Sequence, residues 1–127
     1  MKAIQSIDRP NLNIIKPLNS KIRVVTAQGS MIILKSSIIY LKSSSNYCEI
    51  YMNTGKMICC TKTLKAMQEK INDHAFVRVH RTFAINMDYL EAISPSFSYL
   101  QLKGNIRIPI SKNNKAEFKQ LVNLYFD

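Results

Sequence analysis

The longest unbroken apolar runs in this chain, such as Met31 to Leu34 and Ile38 to Leu41, reach only four residues. A membrane-spanning helix needs about 20. Short apolar or alternating runs closed by turn residues are instead the pattern of small antiparallel strands. Such runs cover Ile22 to Thr26, Ser30 to Leu34, Ile38 to Leu41, Tyr47 to Met52 and Lys56 to Cys60, then Phe76 to His80, Phe97 to Lys103 and Ile106 to Ile110. All three glycines fall between runs, in Gln28-Gly29, Thr54-Gly55 and Gly104-Asn105. Gly104-Asn105 marks the clearest hairpin, because Leu100 and Leu102 precede it and Ile106, Ile108 and Ile110 follow at strand spacing.

Two segments carry helical spacing. Leu64, Met67 and Ile71 recur at i, i+3 and i+7, with Thr61 or Thr63 as the cap, and Lys65 and Glu69 would pair on the outer face. Near the C-terminus Phe118, Leu121, Val122 and Tyr125 mark one face after Ser111, a candidate cap. The expectation is a mainly β protein: an elongated antiparallel β-sheet domain with one short internal helix and a C-terminal helix.

The 127 residues suffice for one domain. Residues 1–20 hold Pro10 and Pro17 and no sustained period, so they read as an N-terminal leader or linker, with the domain over 21–127. Lys2, Asp8, Arg9 and Lys16 interrupt any secretory h-region, so the expected location is the cytoplasm. Three cysteines, two of them adjacent (Cys59 and Cys60) and none in a CxxC, read as small core hydrophobes.

Charge narrows the function. Eighteen Lys and Arg against eight Asp and Glu give +10. Fifteen of those bases and seven of those acids follow residue 20, so the excess belongs to the domain. A field of that sign favours a polyanion, most simply nucleic acid. Catalysis finds no support. The acids are scattered, no phosphate loop, HExxH or GxSxG occurs, and His74 and His80 lack the spacing of a metal pair. No cofactor and no metal are called for.

The segment from Phe76 to Asn86 stands out. Phe76, Val77, Val79, Phe83 and Ile85 anchor it, while Arg78, His80 and Arg81 are interleaved. Cations on a firmly held backbone suit phosphates and base edges, although Arg78 could merely decorate a strand and His80 could be a satisfied turn histidine. A polar stretch, Lys42, Ser43, Ser44, Ser45 and Asn46, links two strands and offers small donors. A third basic place is the start of the last helix. Lys112, Lys115 and Lys119 recur there at i, i+3 and i+7, and Lys112 opposes the helix dipole unless an anion is near.

The order of Ile39 to Leu41, Asn46-Tyr47, Gly55-Lys56, Thr63-Leu64, Phe76 to Arg81, Ile85-Asn86 and Ile108 to Lys112 resembles the LytTR-type DNA-binding domain of bacterial transcription regulators. The resemblance spans about residues 20 to 125, and its most specific part is FxRxHR with the downstream Asn. It implies a sequence-specific double-stranded DNA-binding domain that uses inter-strand loops, without enzymatic activity, acting in transcription regulation as a response-regulator output domain.

By position, the resemblance puts contacts on three places. The first is the Ser43 to Tyr47 loop with Asn46, the second is Arg81 beside His80, and the third is Ser111, Lys112, Asn113 and Asn114. With the flanking cations, the candidate DNA-binding residues are Lys42, Ser44, Ser45, Asn46, Tyr47, Arg78, His80, Arg81, Ser111, Lys112, Asn113, Asn114 and Lys115. Members often carry Arg where this chain has Lys112, and lysine lacks the planar bidentate fork. The resemblance further implies direct-repeat sites bound by two copies, an upstream receiver or sensor partner, and no membrane. A receiver domain does not fit in twenty residues, which leaves a stand-alone regulator or a fragment. The rival readings are an RNA-binding β protein, which would need outward-facing Tyr47, Tyr51 and Tyr99 for base stacking, and a basic protein-interaction module.

Overall fold

A computed structural model describes residues 20–127; apart from Ser20, the leader expected over 1–20 lies outside them. Ten strands and two helices follow one another. β1 (Lys21–Thr26) and β2 (Gly29–Leu34) form a separate hairpin. A five-stranded antiparallel sheet takes β3 (Ile38–Ser44), β4 (Tyr47–Met52), β5 (Met57–Cys60), β6 (Phe76–Arg78) and β7 (Phe83–Asn86) in the order β5-β4-β3-β7-β6. β8 (Leu90–Ile93), β9 (Tyr99–Leu102) and β10 (Ile106–Pro109) make a three-stranded antiparallel sheet. α1 (Leu64–Ile71) follows β5, and α2 (Lys112–Phe126) ends the chain.

Strand alternation gives the central sheet two apolar faces. One core joins Leu41, Cys48, Ile50, Ile58 and Ala84 to Ile22 and Val24 of the first hairpin and to Leu64, Met67 and Ile71 of α1. The other joins Val77, Val79 and Ile85 to Leu100, Leu102 and Ile108 of the small sheet and to Phe118 of α2. The expected mainly β class with one internal and one C-terminal helix is the observed one.

Local chemistry explains the helix ends. Thr63, not Thr61, caps α1, its Oγ1 accepting from the Ala66 N–H at 3.1 Å. Among the described residues Lys65 and Glu69 form no ion pair; on an exposed face such a pair is worth a few tenths of a kcal/mol, and water competes for it. Ser111 sits at the N-cap of α2 as expected, but makes no side-chain cap bond. Its hydroxyl is directed to Asn114 Oδ1 instead.

Several boundaries differ from the sequence reading. The strand expected over Phe76 to His80 stops at Arg78, because the chain reverses: the Phe83 N–H donates to the His80 carbonyl (3.0 Å) and the His80 N–H to the Phe83 carbonyl (3.2 Å). β7 and β8 were not read from the sequence. The strand expected from Phe97 starts at Tyr99, since Phe97 adopts φ 55 and cannot extend a ladder. The expected hairpin at Gly104-Asn105 is present, both residues with positive φ (92 and 63), which glycine and asparagine tolerate best. Of the cysteines, Cys48 and Cys60 are buried and paired in register, whereas Cys59 is exposed and corrects the core assignment for that residue. The Cys60 sulfur and then burial push the Cys48 thiol up, so it stays a neutral core group.

Candidate nucleic-acid interface

The three basic or polar segments, far apart in sequence, meet at one end of the molecule. The Ser43 N–H donates to the Thr82 carbonyl (2.8 Å), tying the end of β3, two residues before the Ser45-Asn46 turn, to the β6–β7 turn. The Ser111 N–H donates to the Val79 carbonyl (2.9 Å), and Asn114 Nδ2 reaches the Arg78 carbonyl (3.5 Å), tying the start of α2 to the same β6–β7 turn. The β6–β7 turn is therefore the hinge of the arrangement. Thr82, which joins two of the segments and was not singled out from the sequence, gave no signal beyond being a polar residue between apolar ones.

The loop expected over Ser43 to Tyr47 is tighter than a loop. Ser44 and Tyr47 are paired in the ladder, so only Ser45 and Asn46 form the turn. Ser45 takes φ 58, a left-handed conformation uncommon for a residue with a side chain. Ser45, Asn46 and Tyr47 are exposed. Lys42 lies back in β3 between Glu49 and Phe83, half-buried on the sheet face rather than at the tip.

In the second turn the two arginines differ in use. Arg78 turns inward: its Nε donates to the His80 carbonyl (2.9 Å) and its Nη2 to the Arg81 carbonyl (2.7 Å). Burial lowers the Arg78 pKa without threatening its charge near neutral pH. Its guanidinium gives the Arg81 carbonyl a partner and the His80 carbonyl, which also accepts from the Phe83 N–H, a second one. His80 is held likewise, Nδ1 accepting from the Thr82 N–H (3.1 Å) while its ring meets the edge of Phe83. With Nδ1 an acceptor, the neutral ring carries its hydrogen on Nε2. Arg81 is exposed, and among the described residues its guanidinium has no partner.

At the third segment, α2 opens with no acidic residue in its first turn and without a side-chain cap. Lys112 and Asn113 are exposed, and Asn114 and Lys115 are half-buried. Arg78, His80, Arg81, Ser111, Asn113 and Asn114 line one cleft of about 460 Å³, with no carboxylate among them. A neighbouring cleft, which shares Arg78 and also holds Lys65, carries the three acids Glu69, Asp73 and Glu117, and so is less suited to a polyanion. Asn86, quoted with the Phe76 to Asn86 segment, is fully buried, its Nδ2 donating to the Ile38 carbonyl (2.9 Å) and its Oδ1 accepting from the Asp88 N–H (3.0 Å). It shapes the fold and is closed to a ligand.

Tyr47, Tyr51 and Tyr99 do not form one outward-facing stack. Tyr47 is exposed, but Tyr51 stacks on Tyr40 with ring centroids 4.4 Å apart and the Tyr99 ring is covered by Arg107 at 4.1 Å. The RNA reading is therefore not favoured. No helix among the described residues is long and apolar enough to cross a membrane.

Comparison with known proteins bears on the fold and the family. Residues 28–123 match the family described as the LytTr DNA-binding domain. The chain is 35% identical over 65 residues to the sensory transduction protein LytT of Bacillus subtilis (strain 168), covering 49% of this chain and 27% of that protein. It is 31% identical over 65 residues to the LytT protein of Bacillus anthracis, covering 49% and 26%. The chain thus spans about a quarter of the length of these curated relatives. Among solved structures, the LytTr DNA-binding domain of a methyl-accepting/DNA response regulator from Bacillus cereus superposes with TM-score 0.70 at 22% identity, covering 81% of this chain and 96% of that one.

Proposed function

Because the chain belongs to the LytTr DNA-binding domain family, we propose that its basic end reads double-stranded DNA in a sequence-dependent way and serves a bacterial transcription regulator in the cytoplasm. The observation that carries this reading is that backbone hydrogen bonds join the Arg78 to Thr82 turn both to Ser43, at the end of β3 beside the Ser45-Asn46 turn, and to Ser111 at the start of α2. Three donor-rich segments so joined present one rigid surface, and rigidity lets charged donors select base edges instead of following the phosphates.

The duties divide by geometry. Asn46 and Arg81, exposed at turn tips, are placed to reach base edges, and arginine can bind guanine O6 and N7 bidentately. The His80 Nε2–H is a donor beside Arg81. Lys112, Asn113 and the free amides opening α2 suit a phosphate, which would also remove the conflict between Lys112 and the helix dipole. Lys115 adds charge one turn on. Arg78, Ser111 and Asn114 hold the cleft together through their hydrogen bonds. Two copies on direct-repeat sites, and control by a receiver or sensor partner, complete the reading.

Selection of bound sites from random duplexes, followed by a salt titration on the selected site, tests it. A defined motif should emerge. If about six phosphates are neutralised, affinity should fall on the order of 10³-fold between 50 and 200 mM salt. No enriched motif, or an affinity indifferent to salt, would remove the assignment.

A further inference from the structure

We propose that the cleft between the β4–β5 turn and the β9–β10 turn binds a planar aromatic anion. It lies at the far end of β4 from the Ser45-Asn46 turn, a strand's length or ~20 Å from the DNA-facing end, and has a volume of about 650 Å³. That is the size of an ordinary small-molecule site. Tyr40 and Tyr51 form its aromatic wall, stacked 4.4 Å apart with ring planes within 3°. Met52 and Ile106 add apolar surface. Lys56 comes from one turn and Lys103 from the other. Among the described residues neither ammonium has a partner, and no carboxylate lines the cleft.

The walls are preorganised. Tyr89 donates its hydroxyl hydrogen to the Ser36 carbonyl (2.6 Å) and accepts from Asn53 Nδ2 (3.1 Å), while the Asn53 N–H is held by the Ser37 carbonyl (2.8 Å). The nearby acid, Glu49, is engaged by the Tyr51 hydroxyl at 2.9 Å and stays outside the lining. Desolvation and then that bond keep the Tyr51 phenol up at about 12, so the aromatic wall is uncharged at neutral pH. Two lysines, one from each turn, lining a cleft with neutral rings select a ligand whose flat apolar body meets the tyrosines and whose acid group pairs with the ammoniums. An aliphatic anion would lose the ring contact, and an uncharged arene would lose the ion pair.

Two-dimensional amide NMR with naphthalene-2-sulfonate as the probe tests this. Cyclohexanesulfonate and naphthalene-2-methanol serve as comparators lacking the ring system and the charge. Saturable shifts are expected at Tyr51, Asn53, Gly55, Lys56, Lys103 and Gly104, with both comparators at least about tenfold weaker. Lys56→Gln combined with Lys103→Gln, both on exposed turns, should weaken the probe by about tenfold while the rest of the spectrum stays in place. Shifts scattered over surface lysines, equal binding of a comparator, or undiminished binding by the double variant would each overturn the proposal.

Discussion

Arg78 and Arg81 stand three positions apart and do different work. The inward guanidinium holds two carbonyls of the turn, and the outward one is free for a ligand. Arg78→Ala should lower unfolding stability by ~1–3 kcal/mol, since it removes two charged hydrogen bonds that hold the turn. Arg81→Ala should leave stability within about 0.5 kcal/mol and weaken binding to a selected duplex by ~1–3 kcal/mol, with relaxed preference at one position. Urea melts and fluorescence anisotropy separate the two. Identical behaviour of the variants would refute the division. The sequence shows Arg78 between two valines and Arg81 between two polar residues, but not where each guanidinium goes. That depends on a reversal at His80, where His80-Arg81-Thr82 carry no glycine or proline to announce a turn.

At the scale of the element, α2 carries a conflict. Its first turn holds Lys112 without an acidic residue, and Ser111 spends its hydroxyl on Asn114 instead of capping an amide. Lys112→Glu should therefore stabilise the free protein by ~0.3–1 kcal/mol through the helix dipole, while weakening duplex binding by at least about tenfold, since a phosphate would meet a carboxylate. Thermal melts and binding isotherms on the same variant should move in opposite senses; a change of the same sign in both would contradict a phosphate at this helix start. Helix spacing made α1 and α2 legible in advance, and Gly104-Asn105 did the same for its hairpin. β8 was not legible, because a register shift between Leu90 and Ala92 removes its alternation. The brevity of β7, four residues directly after a turn, hid it in the same way.

For the whole molecule, the charge excess and the mainly β class were open to a reader of the sequence. The placement of the three-stranded sheet and α2 on one side of the central sheet, and of the first hairpin and α1 on the other, was not. It is set by long-range pairing that no local period encodes. The same assembly packs tyrosines so that their ionisation opposes folding. Desolvation and then Asp88, which accepts from the Tyr125 hydroxyl at 2.6 Å, hold Tyr125 up at about 12, and Tyr51 is held at about 12 as well. Tyrosines of the unfolded chain ionise near 10, so this contribution is fully present below about pH 10 and is lost as pH rises through about 12. Urea midpoints should reflect that loss between pH 10 and 12, and Tyr125→Phe should blunt it. A variant as alkali-sensitive as the parent would show that Tyr125 takes no part.

In the proposed function, three segments joined at one end form a single DNA-reading surface. Amide NMR during titration with a selected duplex tests it most directly. The largest shifts are expected at Ser45, Asn46, Arg81, Thr82 and residues 111–115, with α1 and the Gly55 and Gly104 turns nearly unmoved. Shifts centred on α1, on the exposed face of β4 and β5, or on only one of the three segments would contradict it.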